Sequence, residues 1–177
     1  IASICGSNHL SLWNETNSDY LVSKYFNSWG WATWRDRWQT ANLDTKYLLK
    51  KENDKKILNH LTSYRALFYW RYRLKKILSK KISSWAYTYN YYYFLKKKYH
   101  IIPKRNLIRN IGIGINSSNT KKLPMNYFVK KNKKNININY NKKYSLHDFN
   151  NYNKKVEDVV FSKSVFNRIK WIMGIKN

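Results

Sequence analysis

Acidic side chains are scarce in this 177-residue chain, nine against 35 lysines and arginines, and none occurs between Asp54 and Asp148. Paired carboxylates for acid–base work, or for holding a divalent cation, therefore cannot come from the middle of the chain. A single cysteine, Cys5, excludes an intramolecular disulfide and any multi-cysteine zinc site. Within its apolar run it reads as a small buried hydrophobe, as a reducing cytoplasm would allow. No apolar run approaches the length of a membrane span, and Ile1 to Gly6 is too short for a secretory signal. The four histidines, His9, His60, His100 and His147, show no metal-ligand spacing, and no Ser, His and Asp grouping resembles a nucleophile elbow. No metal site is expected from these residues.

What remains is basic and aromatic. The net charge of +26 points toward nucleic acid or an anionic membrane. A compositional bias toward Lys, Asn, Ile and Tyr, all with adenine- and thymine-rich codons, accounts for the same charge on solvated faces. The length and a 43% hydrophobic content suffice for one domain with a buried core. Ile1 to Gly6 reads as a strand entering a turn, as in a fragment of a larger sheet whose upstream neighbour is missing.

The pattern predicts an α/β chain. Ile1 to Cys5 and Tyr20 to Phe26 read as strands, with a polar loop from Asn14 to Asp19 between them. A helix is expected from Thr33, capped by that threonine, with Trp34 and Trp38 on one face. Asp44 to Leu49 reads as a short helix. A longer pattern after Asp54 takes in Ile57, Leu58, Leu61 and Tyr64. Ala66 to Lys81 is predicted as an amphipathic helix with a stripe of Leu67, Trp70, Leu74, Ile77 and Leu78. Ser84 to Lys98 follows as a second helix, and Ile101-Ile102 as a strand broken by Pro103. Beyond Thr120 the chain becomes rich in Lys and Asn; Ile136, Ile138 and Tyr140 fit one strand face, and Val156 to Met173 a last helix. Two regions result, residues 1–120 and a basic extension over residues 121–177.

Three patches stand out. Trp29 to Trp38 reads Trp-Gly-Trp-Ala-Thr-Trp-Arg-Asp-Arg-Trp, four indoles around Gly30, more than core filling needs, although at least two are expected in the core. Indoles suit the flat C–H face of a sugar, because they offer large area at little rotamer entropy. Thr33 adds a hydroxyl and Arg35 a guanidinium fork, while Gly30 permits close approach or an unusual backbone conformation. Ser83-Ser84-Trp85 is the second patch. Asn106-Leu-Ile-Arg-Asn-Ile-Gly112 is the third; its amides and glycines suit an anion cradle or, equally, a bulge or close strand crossing.

In this order the three patches resemble the acceptor-side half of bacterial nucleotide-sugar glycosyltransferases of the GT-A fold, over residues 1–120. The resemblance implies a partial GT-A-type fold, a mixed sheet with flanking helices, lacking its N-terminal nucleotide-binding half. That half would hold the divalent cation, Mg2+ or Mn2+, with none bound by this chain alone. Carried over by position, Trp29, Gly30, Trp31, Thr33, Trp34, Arg35, Ser84, Trp85, Asn106, Arg109, Asn110 and Gly112 are implied to bind substrate. Arg35 or Arg109 would neutralise phosphate. Two departures matter. Ser83 stands at the position of the family's presumed base, an aspartate, and a serine cannot take that role. Ser118-Asn119-Thr120 stands where the family has a Thr-His-Thr-like end, and an amide is a weaker metal ligand than imidazole. Reduced activity, or a base from elsewhere, is implied.

The implied partners are a nucleotide-sugar donor and a glycan or lipid-linked acceptor of the cell envelope, at a cytoplasmic site peripheral to the inner membrane. An anionic membrane surface is a further partner, met through Ala66 to Lys81 or Val156 to Met173 as basic amphipathic helices. The rival reading is a single-stranded nucleic-acid module, in which Trp70, Tyr72 and the tyrosines from Tyr87 to Tyr93 interleave with basic residues as a stacking surface.

Overall fold

The computed structural model describes residues 1–61, 63–108 and 146–162. Within them the chain is α/β, built on a four-stranded mixed sheet with helices packed against it. The strands are β1 (Ser3–Cys5), β2 (Tyr20–Ser23), β3 (Trp31–Thr33) and β4 (His100–Pro103), in the order β2-β4-β1-β3. β1 runs parallel to β4 and antiparallel to β3, while β2 is antiparallel to β4. The expected missing neighbour of the first strand is thus corrected: β1 is hydrogen-bonded on both sides from within the chain.

Local chemistry sets the element ends. β2 stops at Ser23, short of the expected Phe26, because side chains take over the backbone donors. Asn153 Oδ1 accepts from the Lys24 N–H, and Asn90 Oδ1 accepts from that of Phe26. Pro103 closes β4 rather than breaking it, opposite Tyr20. Helix α1 (Arg35–Gln39) begins after Trp34, whose extended backbone forms the cap without a side-chain bond. Thr33 lies in β3 and is not the cap. Asp44 caps α2 (Thr45–Leu48) by accepting from the N–H groups of Lys46 and Tyr47, the usual role of a short acceptor side chain at that position. The pattern read as one helix from Asp54 through Tyr64 divides in two: α3 (Glu52–Leu58) ends, and Ser63 restarts the chain as the cap of α4 (Tyr64–Leu78), accepting from Ala66 N at 3.1 Å. Helix α5 spans Trp85–Leu95.

Helix α6 (Leu146–Val156) runs into a π-helical segment, Glu157–Ser162. The expected extension therefore includes residues that join the core. Tyr152, Val156 and Phe161 are buried, α6 packs on β2, and the π-helical segment packs on α4. Burial of those three side chains contributes several kcal/mol, at about 25 cal/mol per Å2 of apolar surface removed from water.

Side chains alternate across the sheet. Ser3, Cys5, Trp31, Thr33 and His100 face α5, as the Ser3 Oγ to His100 Nδ1 bond (2.7 Å) and the Tyr89 contacts to Thr33, Trp31 and His100 require. On the opposite face Ile4 and Ala32 are exposed. Cys5 is buried as expected, and burial pushes its thiol up to about 11.

Candidate functional site

The C-terminal ends of the parallel strands β1 and β4 are where an open α/β sheet leaves room for ligands. Here the chain closes that end on itself. Gly6, Ser7 and Asn8 follow β1, and the segment from Lys104 to Ile108 follows β4. Asn106 Oδ1 accepts from Asn8 N at 2.7 Å, while Asn8 Nδ2 donates to the carbonyls of Pro103 (2.8 Å) and Lys104 (3.1 Å). Leu107 N donates to Gly6 O at 2.9 Å. Asn106, expected at a ligand, is buried and fastens this turn; its Nδ2 has no hydrogen-bond partner among the described residues.

The tryptophan box reaches the same end through the turn before β3. Gly30 has φ +58°, and a Cβ there would stand 1.4 Å from Ile108 Cδ1. At Gly6 the same methyl would be 2.3 Å from an added Cβ. The glycine of the box is thus required by a left-handed turn and by close packing of Ile108. The first and third patches meet at this contact. Trp29 sits in the turn, its N–H donating to Asn27 Oδ1 and its carbonyl accepting from Ser7 Oγ.

The second patch joins the box on the α5 side of the sheet. Trp31 from β3, Trp38 from α1 and Trp85 from the first turn of α5 have ring centroids 5.7 Å (Trp31–Trp38), 5.0 Å (Trp31–Trp85) and 5.6 Å (Trp38–Trp85) apart. Tyr89 lies 5.5 Å from Trp31 and 5.8 Å from Trp38, and Phe26 lies 5.3 Å from Trp31. Tyr89 and Phe26 are buried, whereas Trp38 is 43% and Trp85 40% exposed. The result is a ledge of indoles resting on core rings and open outward. The expectation that two box indoles are core is corrected: Trp29 and Trp31 are half-buried, and Trp34 and Trp38 are exposed.

Polar groups flank the ledge unevenly. Thr33 is committed internally, its Oγ1 donating to Ala2 O at 2.6 Å and accepting from Tyr89 OH at 3.1 Å. Ser83 is exposed, and Ser84, the cap of α5, makes no capping bond with its hydroxyl. Trp34 is 48% exposed and Arg35 is exposed, at the start of α1. Trp34 does not share the ring contacts of the other three. Arg37 pairs with Asp36 and its Nε reaches Ile1 O at 3.4 Å. Arg109, Asn110, Gly112, the Ser118–Thr120 end and the strand expected at 136–140 lie outside the described residues, as does most of the helix expected from Val156 to Met173.

Among the described residues no three His, Cys, Asp or Glu side chains group together. Asp36 and Asp54 are paired with Arg37 and Arg71, and Glu157 accepts from the Tyr25 hydroxyl inside the core. These residues do not by themselves fit a divalent cation. Burial lowers His9 and His60 to about 4 and His100 to about 3, so all three are neutral packing residues at neutral pH. The Ser3–His100 pair is sealed from solvent, and 97 residues of separation hid it from sequence reading.

The stacking surface of the rival reading is also corrected in part. Trp70, Tyr89, Tyr91, Tyr92 and Tyr93 are buried, which leaves Tyr72 and Tyr87 half-buried. Sequence reasoning missed Trp38 as a member of the ledge and Tyr89 and Phe26 as its support. The spacing of four from Trp34 pointed the wrong way for Trp38, because Trp34 is the extended cap before α1 and lies outside the ledge contacts; Phe26 carried no signal.

No helix among the described residues is long and apolar enough to cross a membrane. No protein-family model, no curated protein and no solved structure matches the chain.

Proposed function

We propose that the chain is the acceptor-side part of a GT-A-type nucleotide-sugar glycosyltransferase, and that its indole ledge holds a sugar ring of a glycan or lipid-linked acceptor. One observation carries the reading: Trp31, Trp38 and Trp85, from two separate sequence patches, form one part-exposed surface. A cluster meant only for packing would be covered. An indole edge and face in water gain most by receiving an amphipathic disc with axial C–H groups, which a hexose supplies.

In this reading Ser83 and Ser84, just before Trp85, meet acceptor hydroxyls, and the exposed Arg35, three residues before Trp38, meets phosphate. In transfer with inversion, the acceptor oxygen bonds to the anomeric carbon as the bond to the nucleoside diphosphate breaks. The hydroxyl proton needs a base, and Ser83 is too weakly basic to take it. The chain then binds and orients the acceptor, and a divalent cation is not assigned to its described residues. Slow transfer, or a base supplied from elsewhere, follows.

Titration of tryptophan fluorescence with hexose-containing oligosaccharides tests the proposal. Saturable quenching in the parent, lost in Trp85→Ala and Trp38→Ala with near-ultraviolet circular dichroism retained elsewhere, supports it. Quenching that is absent in the parent, or unchanged in both variants, overturns it.

A further inference from the structure

The helix that sequence analysis offers to a membrane turns its apolar stripe inward. Leu67, Trp70 and Leu74 are buried in the core, and Ile77 is half-buried against it. That stripe cannot meet lipid without unfolding the domain. The opposite face of α4 is different from a plain solvated helix face. Tyr64, Phe68 and Tyr72 recur every four residues along it, so they line one ridge. Tyr64 is 75% and Phe68 58% exposed, and Tyr72 carries Lys76 Nζ 5.0 Å above its ring. Arg65 and Lys75 are exposed on the same side, and Lys80 and Lys81 follow at the helix end.

We infer that this outer ridge of α4 is a seat for an anionic bilayer surface, with Tyr64 and Phe68 entering the headgroup–acyl boundary and Arg65, Lys75 and Lys76 meeting lipid phosphates. Charge complementarity selects this occupant. The chain carries no acidic side chain from residue 55 to residue 147. Of the acids on elements packed against α4, Asp54 is paired with Arg71 and Glu157 is buried, leaving Glu52 and Asp158 exposed. A phenylalanine ring held in water on a convex, basic helix gains by entering an interface, and neighbouring cations keep their phosphate partners there. Leu78, 45% exposed at the end of the helix, adds aliphatic surface that a nucleic-acid strand has no use for. A single strand is also better served by a groove than by a ridge.

Flotation with phosphatidylcholine vesicles, with and without phosphatidylglycerol, in about 0.15 M salt tests the seat using the whole chain. Binding to the anionic vesicles alone is expected. The charge-neutral pair Tyr64→Ser with Phe68→Ser should lower the partition roughly tenfold or more. Both side chains are exposed, so the near-ultraviolet spectrum should stay unchanged. Lys75→Glu with Lys76→Glu should abolish the preference for anionic lipid, whereas the same charge change at Lys154 and Lys155 on α6 should leave binding close to the parent's. Unaltered flotation of the ring variant overturns the inference, as does equal loss from the two charge-reversed pairs, which would mark mere net charge. Binding of an oligo-deoxythymidine strand that depends on Tyr64 and Phe68, with vesicle binding indifferent to them, overturns it in favour of nucleic acid. The outcome is independent of sugar binding at the ledge.

Discussion

Among the described residues, two clusters of Trp, Tyr and Phe at similar ring spacings differ in exposure: one is enclosed, and the other reaches solvent. In the closed cluster Tyr25 stacks on Trp70 at 6.4 Å, Phe161 lies 4.9 Å from Tyr25, and Phe94 lies 5.0 Å from Trp70. Helices α4 and α5 and the π-helical segment enclose it, and Glu157 receives the Tyr25 hydroxyl. In the open ledge Trp31, Trp38 and Trp85 are as close to one another, yet they come from the last strand of the sheet and from the first turns or short helices beside it. Their inner sides rest on Phe26 and Tyr89, and Trp38 and Trp85 stay 43% and 40% exposed. Aromatic density therefore says little about exposure; position relative to the enclosing helices decides it.

Acidification should break the closed cluster and the core rings beneath the ledge most severely. His9 packs on Tyr25 and Phe161, His60 on Phe94, and His100 on Phe26 and Tyr89. Each has a folded value well below its ordinary 6.5, at about 4 for the first two and about 3 for the third, with burial the main cause. The unfolded chain thus takes up protons first as pH falls. Stability is whole above about 6.5 and falls as pH drops toward 4, by up to about 1.4 kcal/mol per pH unit for each histidine. Urea midpoints measured between pH 7.5 and pH 4.5 should decline steeply; a flat profile would refute the assignment of neutral, desolvated imidazoles.

Truncation separates the clusters directly. Trp70→Ala should cost about 3–5 kcal/mol, the range for removing a large buried ring. Trp85→Ala, 40% exposed, should cost less, about 2–3 kcal/mol at about 25 cal/mol per Å2 of the area it still buries, while removing the sugar response. Equal losses in chemical denaturation would erase the distinction between closed and open. Between these lies Gly30→Ala, which meets both a positive φ and Ile108. Roughly 2–4 kcal/mol is expected from the left-handed conformation together with overpacking, and adding Ile108→Ala should recover part of it. A double-mutant cycle with no coupling would show that the two patches do not meet there. Smallest of all is Ser83→Ala. It should alter stability by less than about 0.5 kcal/mol, and a larger shift in melting temperature would mean that this exposed serine is held by contacts of its own.

Much of the scaffold was legible in local pattern. β1, β2 and the helices α2, α4 and α5 fall where alternation, helical spacing and a capping Asp44 place them, because these signals act over a few residues. Errors arose where distant groups intervened. Asn153 and Asn90 end β2 from 130 and 64 residues away, and Ser63 divides a helical pattern that apolar spacing alone would continue. Helix α6 went unread because its buried residues, Tyr152, Asn153 and Val156, lie within a run of Lys and Asn that composition marks as solvated. The candidate site was legible in its residue types but not in its assembly: Trp85 was expected to bind substrate, and only β3 pairing with β1 and α5 packing beneath them bring it to Trp31.

Local stereochemistry and side-chain character settled, from the sequence alone, that the chain is basic, rich in indole and phenol, short of carboxylates in its middle, and α/β. Which rings became core and which became ledge, why Gly30 must lack a side chain, and which face of α4 meets water were decided by packing. Those outcomes depend on contacts between residues far apart in the chain, and no periodicity within one segment records what another segment will cover.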